Sequence, residues 1–120
     1  MATAGERVWL VPLSHLWDGE RLLFVTDEDA PTVRNARTQP AVRVALGHAR
    51  DVVLVDGHAS VEPIAALAPG FLDAYQARHG NDPRSWAGAA LWVRPLTIQA
   101  WREENELHAR TIMRNGRWLA

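Results

Sequence analysis

The sequence feature that most constrains the fold is a series of short β-prone runs separated by tight-turn residues. Two such runs near the start, 7–16 and 21–26, meet at Asp18-Gly19, and two more near the end meet at Asn115-Gly116. Asn-Gly is the pair most favoured in type I′ hairpin turns, because both of its residues accept a positive φ. Strands joined by such turns pair antiparallel. The chain therefore predicts an antiparallel sheet of short strands.

Further runs supply the middle of this sheet: 41–46, 51–61, 89–94 and 96–101, the last two flanking Pro95. Asp56-Gly57 predicts a bulge or bend within the second of these runs. Pro12 lies inside the first run of the chain. Because proline has no N–H to donate to a strand ladder, we expect that strand at an edge or a bulge.

Two helices are predicted between the strands. Asp27-Glu28-Asp29 followed by Ala30-Pro31 is typical of a helix start, since acidic groups suit the positive end of the helix dipole and proline suits the first turn. This helix should run to about Gln39, and a second is expected over 69–79. Six or seven strands with two helices favour a mainly β (α+β) fold, a β-barrel with short helical insertions.

Composition excludes several classes of protein. With 120 residues, 48% of them hydrophobic and 22% charged, the chain fits one globular domain and no disordered class. A net charge of −1 gives no general attraction to nucleic acid or anionic lipid, and no apolar run is long enough to span a bilayer. We therefore expect a cytoplasmic protein with no nucleic acid and no membrane partner.

Common catalytic and metal-binding patterns are missing. The chain has no cysteine, which excludes disulfides and thiolate chemistry, and none of its five histidines has the i, i+4 spacing of a zinc helix. The serines lack the Gly-x-Ser-x-Gly context of a nucleophile elbow. We predict no metal site and name no catalytic residue.

An anion pocket is predicted where the first helix begins. A strand delivers Thr26 to its end, and the first turns of the helix carry Thr32, Arg34 and Asn35. Helix N-termini present unpaired N–H groups and a partial positive charge, to which these side chains add donors for a phosphate. The alternative is structural: Thr32 caps the helix, and Arg34 pairs with a carboxylate of the segment 27–29.

A family resemblance rests on five stretches taken in order: Val11-Pro12-Leu13-Ser14, Asp18-Gly19, Phe24-Val25-Thr26, Arg34-Asn35-Ala36 and Pro40-Ala41-Val42. They resemble the FMN-binding split-barrel proteins related to pyridoxamine 5′-phosphate oxidase, which include deazaflavin-dependent reductases. The resemblance implies a six- to seven-stranded antiparallel split β-barrel, with residues 1–120 as one flavin-nucleotide-binding domain. It also implies that FMN, or alternatively the deazaflavin coenzyme F-420, lies with its ring beside Pro12 and Ser14 and its phosphate at Thr26, Thr32, Arg34 and Asn35.

The C-terminal part adds to the resemblance. Trp101 followed by Glu106-Leu107-His108-Ala109-Arg110 is similar to the end of the oxidases. The likeness implies that Trp101 and Arg110 approach the cofactor from the other subunit and that His108 lies on the substrate side. Two alternatives stay open: Trp101 is ordinary barrel core, and the arginine-rich stretch 102–117 is a solvated charged face.

Departures from the family pattern limit what it implies. The family's phosphate lysine is Thr32 here, two cations of the oxidase fall at Leu10 and His15, and its substrate-binding arginine falls at Glu106. Lost charge-assisted hydrogen bonds of about 1.5–3 kcal/mol each make pyridoxine 5′-phosphate an unsuitable substrate. The usual N-terminal helix and first strand of the family are also absent, unless the chain starts further upstream.

These observations predict a homodimer with the cofactor at the subunit interface. The chain has six tryptophans, which are more large aromatic side chains than a small barrel needs for its core. The expected activity is transfer of a hydride or electron pair to a small organic acceptor, and the cofactor carries that chemistry. The alternative is a non-enzymatic dimeric ligand-binding module on the same barrel.

Overall fold

A computed structural model describes residues 1–5, 7–86 and 88–119. The strands in these ranges are β1 Ala2–Thr3, β2 Trp9–Leu10, β3 His15–Trp17, β4 Leu22–Asp27, β5 Ala41–His48, β6 Asp51–Pro63, β7 Gly88–Trp101, β8 Thr111–Arg114 and β9 Arg117–Trp118. The α-helices are α1 Pro31–Thr38 and α2 Pro69–His79, and three short 3₁₀ helices cover Ile64–Ala66, Pro83–Ser85 and Glu104–Ala109. Neither α-helix, nor any other helix of the described ranges, is long and apolar enough to cross a membrane.

The strands form one antiparallel sheet that curls without closing. Its order is β2-β1-β5-β6-β7-β4-β3, and β8 and β9 extend it from β7. The two end strands, β2 and β3, are separated in the chain only by residues 11–14. Five Cα–Cα steps, from Leu10 to His15, span at most about 18 Å. The two edges of the sheet must therefore curl towards each other, and the α+β split-barrel prediction is confirmed.

The strand β4 and the first half of β7 are buried on both faces. In β4, Leu22 and Phe24 point into the barrel core, whereas Leu23 and Val25 belong to a second cluster on the opposite face. The helix α2 covers this second cluster with side chains that include Leu72. The alternation follows from the period of two in a strand.

Several local predictions are confirmed. The helix α2 has the expected bounds and ends with Gly80 in the left-handed conformation, and α1 ends one residue before the expected Gln39. Asn115 and Gly116 both have positive φ, 53° and 76°, as a type I′ turn requires. The helix ends and the turn depend mainly on neighbouring residues, so tertiary packing does not change them.

Two predicted strand assignments are wrong. The run 7–16 is not one strand but two, β2 and β3, because residues 11–14 around Pro12 cross from one edge of the sheet to the other. The strands expected on either side of Pro95 are a single strand, β7. Pro95 pairs with Gly57 where the register shifts between Asp56 and Gly57, so the missing N–H coincides with a bulge. The strand β1 was not predicted.

Candidate functional site

The helix α1 presents one face to the core and one to the surface. Its start has proline in the first turn and Ala30 at the N-cap, with no side-chain cap. Thr32, Val33 and Ala36 are buried, and Thr32 is only 1% exposed. Thr32 therefore neither caps the helix nor reaches the surface cleft described next.

A cleft of about 420 Å³ lies against the outer face of α1. Its lining consists of Arg7, Trp9, Pro31, Arg34, Asn35 and Thr38. Two of the residues predicted for the phosphate, Arg34 and Asn35, thus meet in one cleft. Arg7 adds a second guanidinium to the cleft, and Trp9 of β2 adds an indole that is 37% exposed. Sequence reasoning missed Arg7 and Trp9 because no turn or motif signal links the start of the chain to α1.

The guanidinium of Arg34 is held by the backbone at the start of the helix. Its Nη1 donates to the carbonyl oxygen of Asp29 at 2.9 Å. The side chain of Asp27 accepts instead from the N–H of Asp29 at 2.8 Å. The expected alternative, pairing of Arg34 with a carboxylate of this loop, is not seen. Within the described residues, neither Arg7 nor Arg34 forms a salt bridge, and both line the cleft.

The side-chain amide of Asn35 is engaged by the start of the chain. Its Nδ2 donates to Thr3 Oγ1 at 3.1 Å and to the carbonyl oxygen of Arg7 at 3.1 Å. A primary amide has two N–H groups. Both are therefore used within the protein, although Asn35 lines the cleft.

The other residues predicted for this half of the site lie elsewhere in the structure. Thr26 is half-buried near the end of β4, opposite Ala89, and does not line the cleft of Arg34. Pro12 lines a separate, mostly apolar cleft of about 410 Å³ beside β5 and β6. Ser14 is exposed, next to the hydroxyl of Tyr75. Among the described residues, neither Pro12 nor Ser14 lines the cleft of Arg34 and Asn35.

Two of the residues predicted from the C-terminal part, Trp101 and Arg110, come together. The Cζ of Arg110 lies 5.5 Å from the centroid of the Trp101 ring, a cation–π distance. Trp101 is half-buried at the end of β7, and the backbone of Ala100 donates to the carbonyl of Arg110 at 2.8 Å. His108 is exposed in the 3₁₀ helix between them. These three residues do not line the cleft of Arg34.

The segment around Ser14 is packed against the end of α2. The Nε2 of His79 lies 2.8 Å from the carbonyl oxygen of His15. Burial lowers the pKa of His15 below its ordinary value, and the nearby charges of Arg78 and His79 lower it further. Burial also raises the pKa of Tyr75. Both shifts favour the neutral form of these side chains.

Comparisons with solved structures agree on the architecture. General stress protein 26 from Bacillus anthracis str. Sterne has 22% identity and a TM-score of 0.68, over 86% of this chain and 82% of that one. An F420 reductase has 20% identity and a TM-score of 0.66, over 81% and 84%. A pyridoxamine 5′-phosphate oxidase-related, FMN binding protein from Nostoc punctiforme has 18% identity and a TM-score of 0.62, over 82% and 70%.

No protein-family model and no curated protein matches the sequence. The similarity to solved structures is therefore one of fold, with 22% identity or less in the three structures above. It extends over most of both chains in each comparison. The chain has the fold of the pyridoxamine 5′-phosphate oxidase-like split-barrel proteins.

Proposed function

We propose that this chain binds a flavin nucleotide, FMN, with its phosphate in the cleft beside α1. The observation that carries the proposal is the pairing of two guanidinium groups, Arg7 and Arg34, with the exposed indole of Trp9 in one cleft. Guanidinium groups bind phosphate through charge-assisted hydrogen bonds, and an indole offers an apolar wall to an aromatic ligand.

The residues present fit such a ligand. A phosphate monoester carries a charge of about −1.5 to −2 at neutral pH, and the described residues that line the cleft include two cations and no acidic side chain. Its volume of about 420 Å³ lies in the range of small-molecule sites. Structural neighbours that include an FMN binding protein and an F420 reductase support a cofactor of the flavin type.

A bound flavin would supply the transfer of a hydride or electron pair to a small organic acceptor, while the protein contributes binding, orientation and exclusion of water. We assign no general acid or base to this chain. Arg34 and Arg7 would hold the phosphate, and Pro12 and Ser14, which lie outside this cleft, would border the ring where the cofactor extends beyond it. Thr26, near the end of β4 and outside the same cleft, would contact the part of the cofactor beyond its phosphate.

The proposal includes a homodimer with the cofactor at the subunit interface. Trp101 and Arg110 lie outside the cleft of Arg34 in their own chain, so they would reach the cofactor of the partner subunit, with His108 on the acceptor side. Because the guanidinium of Arg110 already lies at a cation–π distance from the Trp101 ring, the two would act as one unit. We propose a cytoplasmic location for this assembly.

The direct test is the absorption spectrum of the purified protein. Yellow protein that releases a flavin on denaturation, or colourless protein that takes up added FMN with quenching of tryptophan fluorescence, supports the proposal. Protein that binds neither FMN nor the deazaflavin coenzyme F-420 contradicts it.

The same titration distinguishes the alternatives. Preference for coenzyme F-420 over FMN would indicate a deazaflavin-dependent reductase. The structural similarity to an F420 reductase favours this alternative. Binding of a flavin whose reduced form transfers no electrons to quinone or nitroaromatic acceptors would indicate a non-enzymatic ligand-binding module. The buried Thr32, at the position of a family lysine, favours that second alternative.

A further inference from the structure

We infer that Asn35 does not bind the phosphate but positions Arg7, which is the second cation of the cleft. The inference rests on the proposed binding of a phosphorylated ligand. It concerns the N-terminal segment, defined here as residues 3–5 and 7. Four observations on Asn35, Gly5, Arg7 and Arg34 carry it.

The first observation is the use of the Asn35 amide. Both of its N–H groups are engaged, one by the buried Thr3 and one by the carbonyl of Arg7. What remains of the side chain is its Oδ1, an acceptor. A phosphate dianion has only acceptor oxygens, so Asn35 has nothing to donate to it without losing a bond to the N-terminal segment.

The second observation is how closely the segment follows Asn35. A Cβ added at Gly5 would collide with Asn35 Oδ1 and would lie 2.9 Å from its Cγ. The segment therefore contacts the Asn35 side chain at three points: Thr3, Gly5 and Arg7. Such a set of contacts holds the backbone of Arg7 against α1, although the residue is exposed.

The remaining observations concern charge. Arg7 and Arg34 line the same cleft, and the Arg34 guanidinium is directed by its bond to the Asp29 carbonyl. One guanidinium neutralises about half the charge of a phosphate monoester. A second guanidinium delivered from a different part of the chain completes the neutralisation. The fixed Arg7 backbone lowers the entropy lost when its side chain binds.

The first experiment compares FMN with riboflavin, which lacks the phosphate, by fluorescence titration. We expect Arg7→Ala to weaken FMN binding about tenfold or more, on the scale of a charge-assisted hydrogen bond, and to leave riboflavin binding unchanged. Arg7→Lys should recover part of the loss. The control is Arg37→Ala, because Arg37 is an exposed arginine on α1 that does not line the cleft; this variant should bind both ligands as the wild type does.

The second experiment tests the positioning role. Asn35→Ala should weaken FMN binding, and Arg7→Ala should then cause little further loss in the Asn35→Ala background. Gly5→Ala should resemble Asn35→Ala, since its methyl group displaces the amide. Faster proteolysis of the N-terminal segment in both variants, with unchanged far-ultraviolet circular dichroism, would show that the segment has been released while the barrel is folded.

The outcomes separate this inference from the proposed function. If Arg34→Ala weakens FMN binding and Arg7→Ala does not, the flavin proposal stands and the role of Arg7 is wrong. If the losses from Asn35→Ala and Arg7→Ala add in full, Asn35 binds the phosphate directly and the positioning role is wrong. If wild type binds no flavin, titration with inorganic phosphate decides: weaker binding by Arg7→Ala supports the anion site, and no binding by wild type overturns it.

Discussion

Arg34 differs from the other arginine of α1 only in its surroundings. Its guanidinium donates to the carbonyl of Asp29 and lines the cleft, whereas Arg37 is exposed and lies outside it. Two side chains of the same type, three residues apart on one helix, therefore separate the effect of position from the effect of charge.

We predict that Arg34→Ala weakens FMN binding by about 1.5–3 kcal/mol, the scale of a hydrogen bond to a charged group. Because Arg34 is exposed, the free energy of unfolding should change by less than about 0.5 kcal/mol. Isothermal titration with FMN and urea denaturation measure the two quantities. Equal FMN affinities for wild type, Arg34→Ala and Arg37→Ala would show that the phosphate does not bind in this cleft.

The arginines of the C-terminal part also have distinct surroundings. The guanidinium of Arg110 lies at a cation–π distance from the Trp101 ring. The guanidinium of Arg102 instead lies 3.8 Å from one carboxylate oxygen of Glu106, and the other oxygen accepts from the backbone N–H of Arg102. Arg114 is exposed on the strand β8. A uniform charged face does not account for these differences.

We therefore predict that Arg110→Ala clearly lowers FMN affinity and that Arg102→Ala and Arg114→Ala lower it little. Surface charges that act only as a solvated face would each contribute roughly 0–1 kcal/mol. Titration of the three variants with FMN checks this, and light scattering should give the same mass for all three. Three equal, small effects would withdraw Trp101, His108 and Arg110 from the cofactor site.

At the scale of elements, the bulge between β6 and β7 allows β7 to continue as one long strand although it contains Pro95. Gly57 faces Pro95 across the two strands, and the register shifts beside it. A Cβ at Gly57 would lie 2.5 Å from the carbonyl oxygen of Arg94 and 2.9 Å from Val93 Cγ1. Only a residue without a side chain fits between these strands.

We predict that Gly57→Ala lowers the free energy of unfolding by about 1–3 kcal/mol, the usual cost of overpacking. Gly70 in α2 is the matched control, because a Cβ there meets nothing within 4 Å and alanine is the better helix former. Gly70→Ala should be neutral or slightly stabilising. Urea denaturation of both variants checks the prediction; equal stabilities would mean that β6 and β7 separate easily at the bulge.

Elements set by local chemistry could be predicted from the sequence. The turn at Asn115-Gly116, the bounds of α2 and the bulge at Asp56-Gly57 depend on φ, capping and proline, which neighbouring residues determine. The division of the run 7–16 into two edge strands could not, because it depends on how far the whole sheet curls.

The candidate site was predictable to a similar extent. Arg34 and Asn35 follow from their place at the start of a helix, where phosphate binding has a general physical basis. Arg7 and Trp9 reach the same cleft only because the N-terminal segment folds back onto α1, and no local pattern encodes that contact. The burial of Thr32 could not be predicted either, because it depends on which face of α1 packs against the barrel.

For the whole molecule, the distribution of apolar side chains matters more than their number. Four of the six tryptophans, at positions 9, 17, 86 and 118, are exposed in the chain by itself. Trp17 and Trp118 line one cleft with Pro95 and Met113, and Trp118 is 55% exposed. Edge strand β2 adds Leu10, 77% exposed. Exposed apolar side chains that share one cleft, as Trp17 and Trp118 do, are typical of interfaces.

We predict a homodimer, with twice the chain mass of 13.4 kDa, by light scattering at micromolar concentration. Trp118→Ser should shift the equilibrium towards monomer by about 30-fold or more, because buried interface tryptophans commonly contribute about 2 kcal/mol or more to association. Trp86→Ser is the comparison variant, since Trp86 is exposed but lies outside the cleft of Trp17 and Trp118. A monomeric mass for wild type would refute both the dimer and a cofactor site shared between subunits, and FMN would then have to bind to the Arg34 cleft of one chain. A dimer unaffected by Trp118→Ser would move the interface to another face of the barrel, such as that of β2.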